Sequence, residues 1–190
     1  MASTKSKKQI LQMAQASMII AIIILFQVTG IGFIMMPPVA FTILHIPVII
    51  GAVIMGPYWG ALFGGAMGLC SLIDSTMRGS SPADLAFSPF YSGHPISSIV
   101  MALVVRILIG FVAGLVFKAL IKHKVNDIVS AVAAGFLATL TNTLGVMGCL
   151  WLLFPKLNVT FKAVLETVFA VNFLIEASLA VVFAIAFAKV

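Results

Sequence analysis

Long apolar runs, separated by short polar or glycine- and proline-rich segments, dominate the chain. Met18–Phe26 is unbroken, and charge interrupts Ile99–Ile121 only at Arg106 and Lys118. A helix needs about 20 apolar residues to cross a bilayer, whereas barrel strands alternate polarity in shorter stretches. Since the runs are long and do not alternate, they predict membrane-spanning helices.

The pattern predicts an all-α, polytopic membrane protein, with residues 1–190 forming a single bundle of six transmembrane helices. Glycines and the pair Pro37–Pro38 interrupt the chain after the first run, because proline cannot continue a helix. The polar segment at about Asp74–Pro95 is long enough for a functional lid loop. The predicted helices cover about Ile10–Val28, Val39–Met55, Tyr58–Ile73, Ile96–Lys122, Ile128–Phe154 and Phe161–Lys189.

Composition supports this prediction. The 190 residues are 62% hydrophobic and 8% charged, and the mean hydropathy is +1.23. A soluble domain carries roughly a quarter charged residues, so a soluble globule is excluded. Cys70 and Cys149 lie in apolar runs without metal-ligand spacing and are interpreted as small packed side chains.

The net charge of +6 is interpreted as a signal of membrane orientation and not of nucleic-acid binding. With the N-terminus inside, Arg78, Lys156 and Lys162 fall outside. Most of the other basic residues then lie inside, as the positive-inside rule requires. Both termini are predicted to be cytoplasmic, with the lid loop on the outer face. The residues assigned to the cytoplasmic side are Lys5, Lys7, Lys8, Lys118, Lys122, Lys124 and Lys189.

Arg106 and Glu176 are charged residues near the middle of predicted spans. Such residues usually face the bundle interior. One interpretation is an ion pair that fixes helix packing. The other is that one or both line a ligand cavity, where the arginine fork suits a carboxylate or phosphate.

The remaining candidate ligand contacts are polar or aromatic. Asn172 shares a helix face with Glu176 and is favoured as a ligand contact, although interhelical hydrogen bonds are the alternative for the amides. The histidines could be structural, and the loop aromatics could sit at the lipid headgroups. These further candidates are His45, Phe87, Phe90, Tyr91, His94, Thr141 and Asn142.

Two sets of small residues predict close helix packing. Gly60, Gly64 and Gly68 recur every four residues, a spacing that lets helix backbones approach. On the first helix Ala14, Ser17 and Ala21 form a patch that could meet a partner protein or the chain's own helices.

Catalytic motifs such as HExxH, GxSxG and the P-loop are absent from the sequence, which argues against an enzyme.

Several segments together resemble the S components, the substrate-binding membrane subunits, of energy-coupling factor (ECF) vitamin transporters. The likeness extends over nearly the whole chain and is greatest to the pantothenate-specific branch. The segments that carry it are His45–Pro57, the glycine-rich third helix, Phe87–Phe90, Arg106–Gly110, Asn142–Thr143 and the pair Asn172 and Glu176.

The resemblance implies uptake of a vitamin, pantothenate first, across a bacterial plasma membrane. It implies a transmembrane coupling subunit and two ATPase subunits as partners. ATP is then used by those partners, and this chain binds no cofactor or metal. Family members often dock through an Ala-xxx-Ala patch, whose place here reads Ser17-xxx-Ala21. The resemblance also implies that the subunit topples in the membrane to carry its ligand inward.

For pantothenate, Arg106 or a loop residue is expected to meet the carboxylate. Asn142, Asn172 and His45 are then expected to meet the hydroxyl or amide groups.

One alternative is an S component for riboflavin, pyridoxine, a pyrimidine precursor or folate. A stand-alone secondary transporter is a second alternative, but it would be expected to show inverted repeats or broken helices, and neither is evident.

Overall fold

A computed structural model describes residues 4–30, 33–36, 39–42, 44–79 and 82–154, together with Ser178 and Val182. The predicted sixth helix, apart from these last two residues, lies outside the described residues, as do Asn172 and Glu176. The described helices are α1 (Thr4–Thr29), α2 (His45–Met55), α3 (Pro57–Arg78), α4 (Pro82–Leu85), α5 (Pro95–Ile99), α6 (Val105–Lys122) and α7 (Asp127–Leu153).

Among the described residues, three helical stretches are long and apolar enough to cross a membrane: Ser6–Thr29, Pro95–Lys122 and Asp127–Leu153. The second of these is continuous, because a π-helical turn at Val100–Val104 joins α5 to α6. The predicted helical membrane architecture is therefore confirmed in this part of the chain.

The prediction that the second helix begins near Val39 was wrong. Residues Val39–Thr42 form strand β2, which pairs antiparallel with β1 (Phe33–Met36), and α2 begins only at His45. Short apolar runs rich in β-branched and aromatic residues fit a strand as well as a helix. Pairing between the two strands gives their backbone groups hydrogen-bond partners before α2 begins.

The third helix is longer than predicted and shortens the polar loop. α3 continues to Arg78, so the connection to α5 covers residues 79–94 and contains α4. The extra turn carries hydroxyl side chains that donate to carbonyls four residues earlier, with Ser75 reaching Ser71 at 2.5 Å and Thr76 reaching Leu72 at 2.8 Å. These bonds keep polar side chains inside a helix.

Helices α3 and α6 pack backbone against backbone in antiparallel register. A Cβ atom added at Gly60 would overlap the carbonyl oxygen of Gly110, and one at Gly64 would overlap that of Arg106. One at Gly68 would lie 2.5 Å from the carbonyl oxygen of Ala102. The predicted close packing of this glycine stripe is confirmed, and its partner is a helix of the same chain. We call this contact the α3–α6 seam.

Three clusters of buried apolar residues complete the described part of the bundle. One lies between α2, α6 and α7 and is formed mainly by aliphatic side chains such as Ile49 and Ile109. A second joins α1 to α2 and α3 through Ile23, Val48 and Phe63. A third packs part of the 79–94 connection against the π-helical turn and α7. In membranes, where lipid is as apolar as these side chains, close packing holds helices together more than hydrophobicity does.

Candidate functional site

Arg106 lies at the start of α6, directly after the π-helical turn, and is only 5% exposed. The α3–α6 seam fixes its backbone, because Gly64 sits against its carbonyl group. Its side chain is directed toward α7, as its hydrogen bond to that helix shows. π-helical turns are rare and often occur at functional sites.

Asn142 on α7 accepts a hydrogen bond from Nη1 of Arg106 through its side-chain oxygen. The two helices are close here, because a Cβ atom at Gly145 would lie 2.6 Å from a methyl group of Val105. An amide is neutral, so this bond orients the guanidinium without cancelling its charge. The amide nitrogen of Asn142 can still donate two hydrogen bonds.

The guanidinium of Arg106 retains unused donor capacity. Its Nε is buried and has no hydrogen-bond partner within the described part of the chain. An ion pair in that part joins Arg78 to Asp74 at 3.7 Å and lies elsewhere, at the end of α3. Arg106 therefore has no carboxylate partner among the described residues. Glu176, with which Arg106 was predicted to form an ion pair, lies outside them.

Phe87, on the 79–94 connection, covers the guanidinium from the α5 end of the bundle. The Cζ atom of Arg106 lies 5.5 Å from the centre of its ring, within the range of a cation–π interaction. The neighbours of Phe87 are buried, with Ala86 2% exposed and Ser88 fully enclosed. The connection thus reaches into the bundle instead of lying over its surface.

Hydroxyl groups anchor this connection to both flanking helices. The side chains of Thr76 on α3 and Ser88 are hydrogen-bonded at 2.9 Å. Ser98 on α5 donates to the carbonyl oxygen of Ala86 at 2.6 Å and lies 2.7 Å from the hydroxyl of Ser92. The position of Phe87 over Arg106 is therefore supported from two sides.

The other described candidate residues lie in different environments. Phe90 and Tyr91 are 80% and 64% exposed. His94 is exposed and contacts the edge of Phe154, with ring centres 6.0 Å apart. His45 is fully buried at the start of α2. The hydroxyl of Thr141 donates within its own helix to Leu137 at 2.7 Å.

The small residues predicted to dock a partner lie on the exposed side of α1. Ala14, Ser17 and Ala21 are all exposed, whereas Ala16 and Ile23 face the bundle. The described part of the chain therefore leaves this patch open.

Three buried polar residues that lack a hydrogen-bond partner among the described residues were not among the predicted site residues. They are Gln27 on α1, through its carboxamide, and Ser130 and Thr139 on α7, through their hydroxyls. A signal for Gln27 was present in the sequence. It continues the face defined by Ala16 and Ile23, at spacings of seven and four residues, and is a polar side chain where the run predicts an apolar one.

The arrangement around Arg106 is suited to binding a small anion. It combines a buried cation, a neutral amide that orients it and an aromatic face, all within a bundle of low polarity. A carboxylate binds most strongly to a guanidinium when water is excluded and its oxygens can accept paired hydrogen bonds. In the described part of the chain, no group of three His, Cys, Asp or Glu side chains could hold a metal ion.

Comparison with known proteins identifies the family of the chain. A family model described as "ECF transporter, substrate-specific component" matches residues 11–187. The chain is also similar to the pantothenic acid transporter PanT of Lactococcus lactis subsp. cremoris (strain MG1363). The two are 34% identical over 152 residues, which cover 76% of this chain and 74% of the relative.

Proposed function

Since the chain belongs to the substrate-specific components of ECF transporters, a membrane family with a binding and not a catalytic role, we propose that its vitamin ligand is pantothenate. The similarity to a pantothenic acid transporter supports this choice. Pantothenate is a small anion with a carboxylate, an amide and hydroxyl groups, so it needs one cation and several neutral polar partners.

The observation that carries the proposal is the buried pair of Arg106 and Asn142. In our proposal, Arg106 donates from its unused Nε to the carboxylate of pantothenate. The amide nitrogen of Asn142 donates to a neighbouring ligand oxygen, and Phe87 closes over the guanidinium. Asn172, Glu176 and His45 remain further candidate contacts.

The subunit acts with partners in this proposal. It sits in a bacterial plasma membrane with both termini in the cytoplasm, so that the 79–94 connection faces outward. A transmembrane coupling subunit docks on Ala14, Ser17 and Ala21, which lie on the exposed side of α1. Two ATPase subunits hydrolyse ATP, and this chain binds no cofactor.

Calorimetric titration of the purified protein tests the ligand. We expect pantothenate to bind at least 100-fold more tightly than riboflavin, pyridoxine or folate, because only pantothenate places a lone carboxylate beside small neutral polar groups. Mass spectrometry of small molecules released from the freshly purified protein provides an independent measurement. Equal affinity across this vitamin panel would contradict the assignment, and ion-driven transport by the chain alone in liposomes would contradict its dependence on partners.

Arg106→Ala tests the role of the guanidinium. Hydrogen bonds to charged groups contribute about 1.5–3 kcal/mol, so pantothenate affinity should fall roughly 10- to 150-fold. Arg106→Lys retains a charge but loses the planar fork and should show an intermediate loss. If Arg106→Ala bound normally and instead unfolded at a lower temperature, a structural ion pair with Glu176 would be the better interpretation.

A further inference from the structure

We propose that Gln27 on α1 is a ligand contact that recognises the hydroxyl-bearing end of the ligand, opposite the carboxylate held by Arg106. This inference rests on the proposed function and adds a residue and a helix to the site. None of the candidate ligand contacts identified from the sequence lies on α1.

The first argument is the burial of an unused amide. Gln27 is 5% exposed, and neither its nitrogen nor its oxygen has a hydrogen-bond partner among the described residues. Buried polar groups in native proteins are nearly always paired, since desolvation without a partner is unfavourable. The preceding residues on the same helix face are Ala16 and Ile23, so an apolar residue would satisfy packing alone. The amide is therefore best explained by a partner that enters the bundle.

The second argument is the position of Gln27 relative to Arg106. A Cβ atom at Gly51 would meet the ring of Phe63 at 2.6 Å and a methyl group of Ile19 at 3.1 Å. Ile19 therefore lies at the same depth in the bundle as Phe63. Phe63 directly precedes Gly64, which sits against the backbone of Arg106. Gln27 lies eight residues further along α1, about 12 Å at the rise of an α-helix.

The direction from Ile19 to Gln27 along α1 points toward the end of the bundle where the 79–94 connection lies. Arg78, at the end of α3, donates to the carbonyl oxygen of Val28 at 3.1 Å, and Thr76 contacts Ser88 at the same end. His45 is also buried where α2 begins. The backbones of Gln27 and Arg106 thus lie at different depths of the bundle, and both residues are buried polar groups. Binding of an extended anion, with its carboxylate at one end and its hydroxyls at the other, requires polar groups at two depths.

The third argument is chemical. A carboxamide carries both a donor and an acceptor, and a hydroxyl group also donates and accepts. One glutamine can therefore donate to one ligand hydroxyl and accept from the other without adding charge near Arg106.

Gln27→Leu, which removes the amide and keeps a similar volume, tests the proposal by calorimetry. Each protein is titrated with pantothenate and with N-(3,3-dimethylbutanoyl)-β-alanine, an analogue that keeps the carboxylate and amide but lacks both hydroxyls. We expect the variant to bind pantothenate about ten-fold more weakly than wild type, in line with the loss of a buried hydrogen bond. Its affinity for the analogue should equal that of wild type. Gln15→Leu, an exposed glutamine on the same helix, is the matched control and should bind both ligands normally.

Thermal unfolding without ligand separates a binding role from a structural one. Replacing an unpaired buried amide with an apolar side chain should leave the midpoint unchanged or raise it. If Gln27→Leu lowered the midpoint and left pantothenate affinity intact, the amide would be pairing within the protein and the inference would fall. An equal loss of affinity for pantothenate and the analogue would also overturn it. Failure of the wild type to bind pantothenate is a separate readout, which rejects the proposed function itself.

Discussion

The two faces of α6 are built on opposite principles. Toward α3, glycines remove side chains so that backbones touch, as at Gly60 and Gly110. Toward α7, Arg106 and Asn142 bring buried polar groups into an apolar bundle. The first contact gains stability from packing and tolerates no added atom, whereas the second retains unused hydrogen-bonding capacity. Packing therefore positions the helix, and the polar interface can be specialised for a ligand.

The largest effect is expected from Gly64→Ala, which alters the packed face. Its methyl group would overlap the carbonyl oxygen of Arg106, and overpacking of this kind costs about 1–3 kcal/mol. We expect a lower unfolding midpoint and weaker pantothenate binding, because Arg106 must move with its backbone. Gly65→Ala is the matched control, since its new Cβ would lie 3.7 Å from Ile107, an ordinary contact. Equal midpoints for the two variants would show that the α3–α6 seam is not as tight as described.

A smaller effect is expected from Asn142→Asp, which alters the polar face. The new carboxylate would pair with Arg106 and neutralise it, so pantothenate affinity should fall about ten-fold or more while the protein remains folded. Calorimetry and a thermal unfolding curve measure the two quantities. Asn142→Leu is the comparison, because it removes the hydrogen bond but leaves the positive charge. If the Asp variant bound pantothenate better than the Leu variant, the charge of Arg106 would not be what attracts the ligand.

The smallest effect is expected from Phe87→Leu, which removes the aromatic face over Arg106 and retains an apolar side chain. A cation–π interaction contributes about 0.5–2 kcal/mol, and we expect a loss of affinity near the lower end, about three-fold. Phe90→Leu serves as the control because Phe90 is 80% exposed, and it should bind like wild type. A larger loss at Phe90 than at Phe87 would indicate that the outer aromatic residue is the one that closes on the ligand.

The sequence predicted the features that depend on local pattern. Long apolar runs indicated the helices, and the four-residue spacing of Gly60, Gly64 and Gly68 indicated close packing, although not the helix that would fill the groove. Arg106 was identified because charge within a span is rare. These inferences need only hydrophobicity and helical periodicity, both of which are present in the sequence.

Features that depend on three-dimensional contacts could not be predicted from the sequence. The run at Val39–Thr42 is apolar and rich in strand-forming residues, so only its pairing with β1 decided its structure. Asn142 was proposed as a ligand contact, but its bond to Arg106 depends on how α6 and α7 align. Gln27 was missed because its spacing from Ala16 and Ile23 marks a helix face but does not show that this face is buried, which only the structure does. The binding roles of the site residues stay predictions.

The α3–α6 seam also has a mechanical consequence. Because Gly64 leaves no gap beside the carbonyl group of Arg106, the two helices cannot slide or tilt independently without a steric clash. Helices α3 and α6 should therefore move as a single rigid body. A displacement of α3 by a neighbouring subunit would then also displace α6 and Arg106. We therefore expect force applied at the surface of the bundle on α3 to displace Arg106 together with α6.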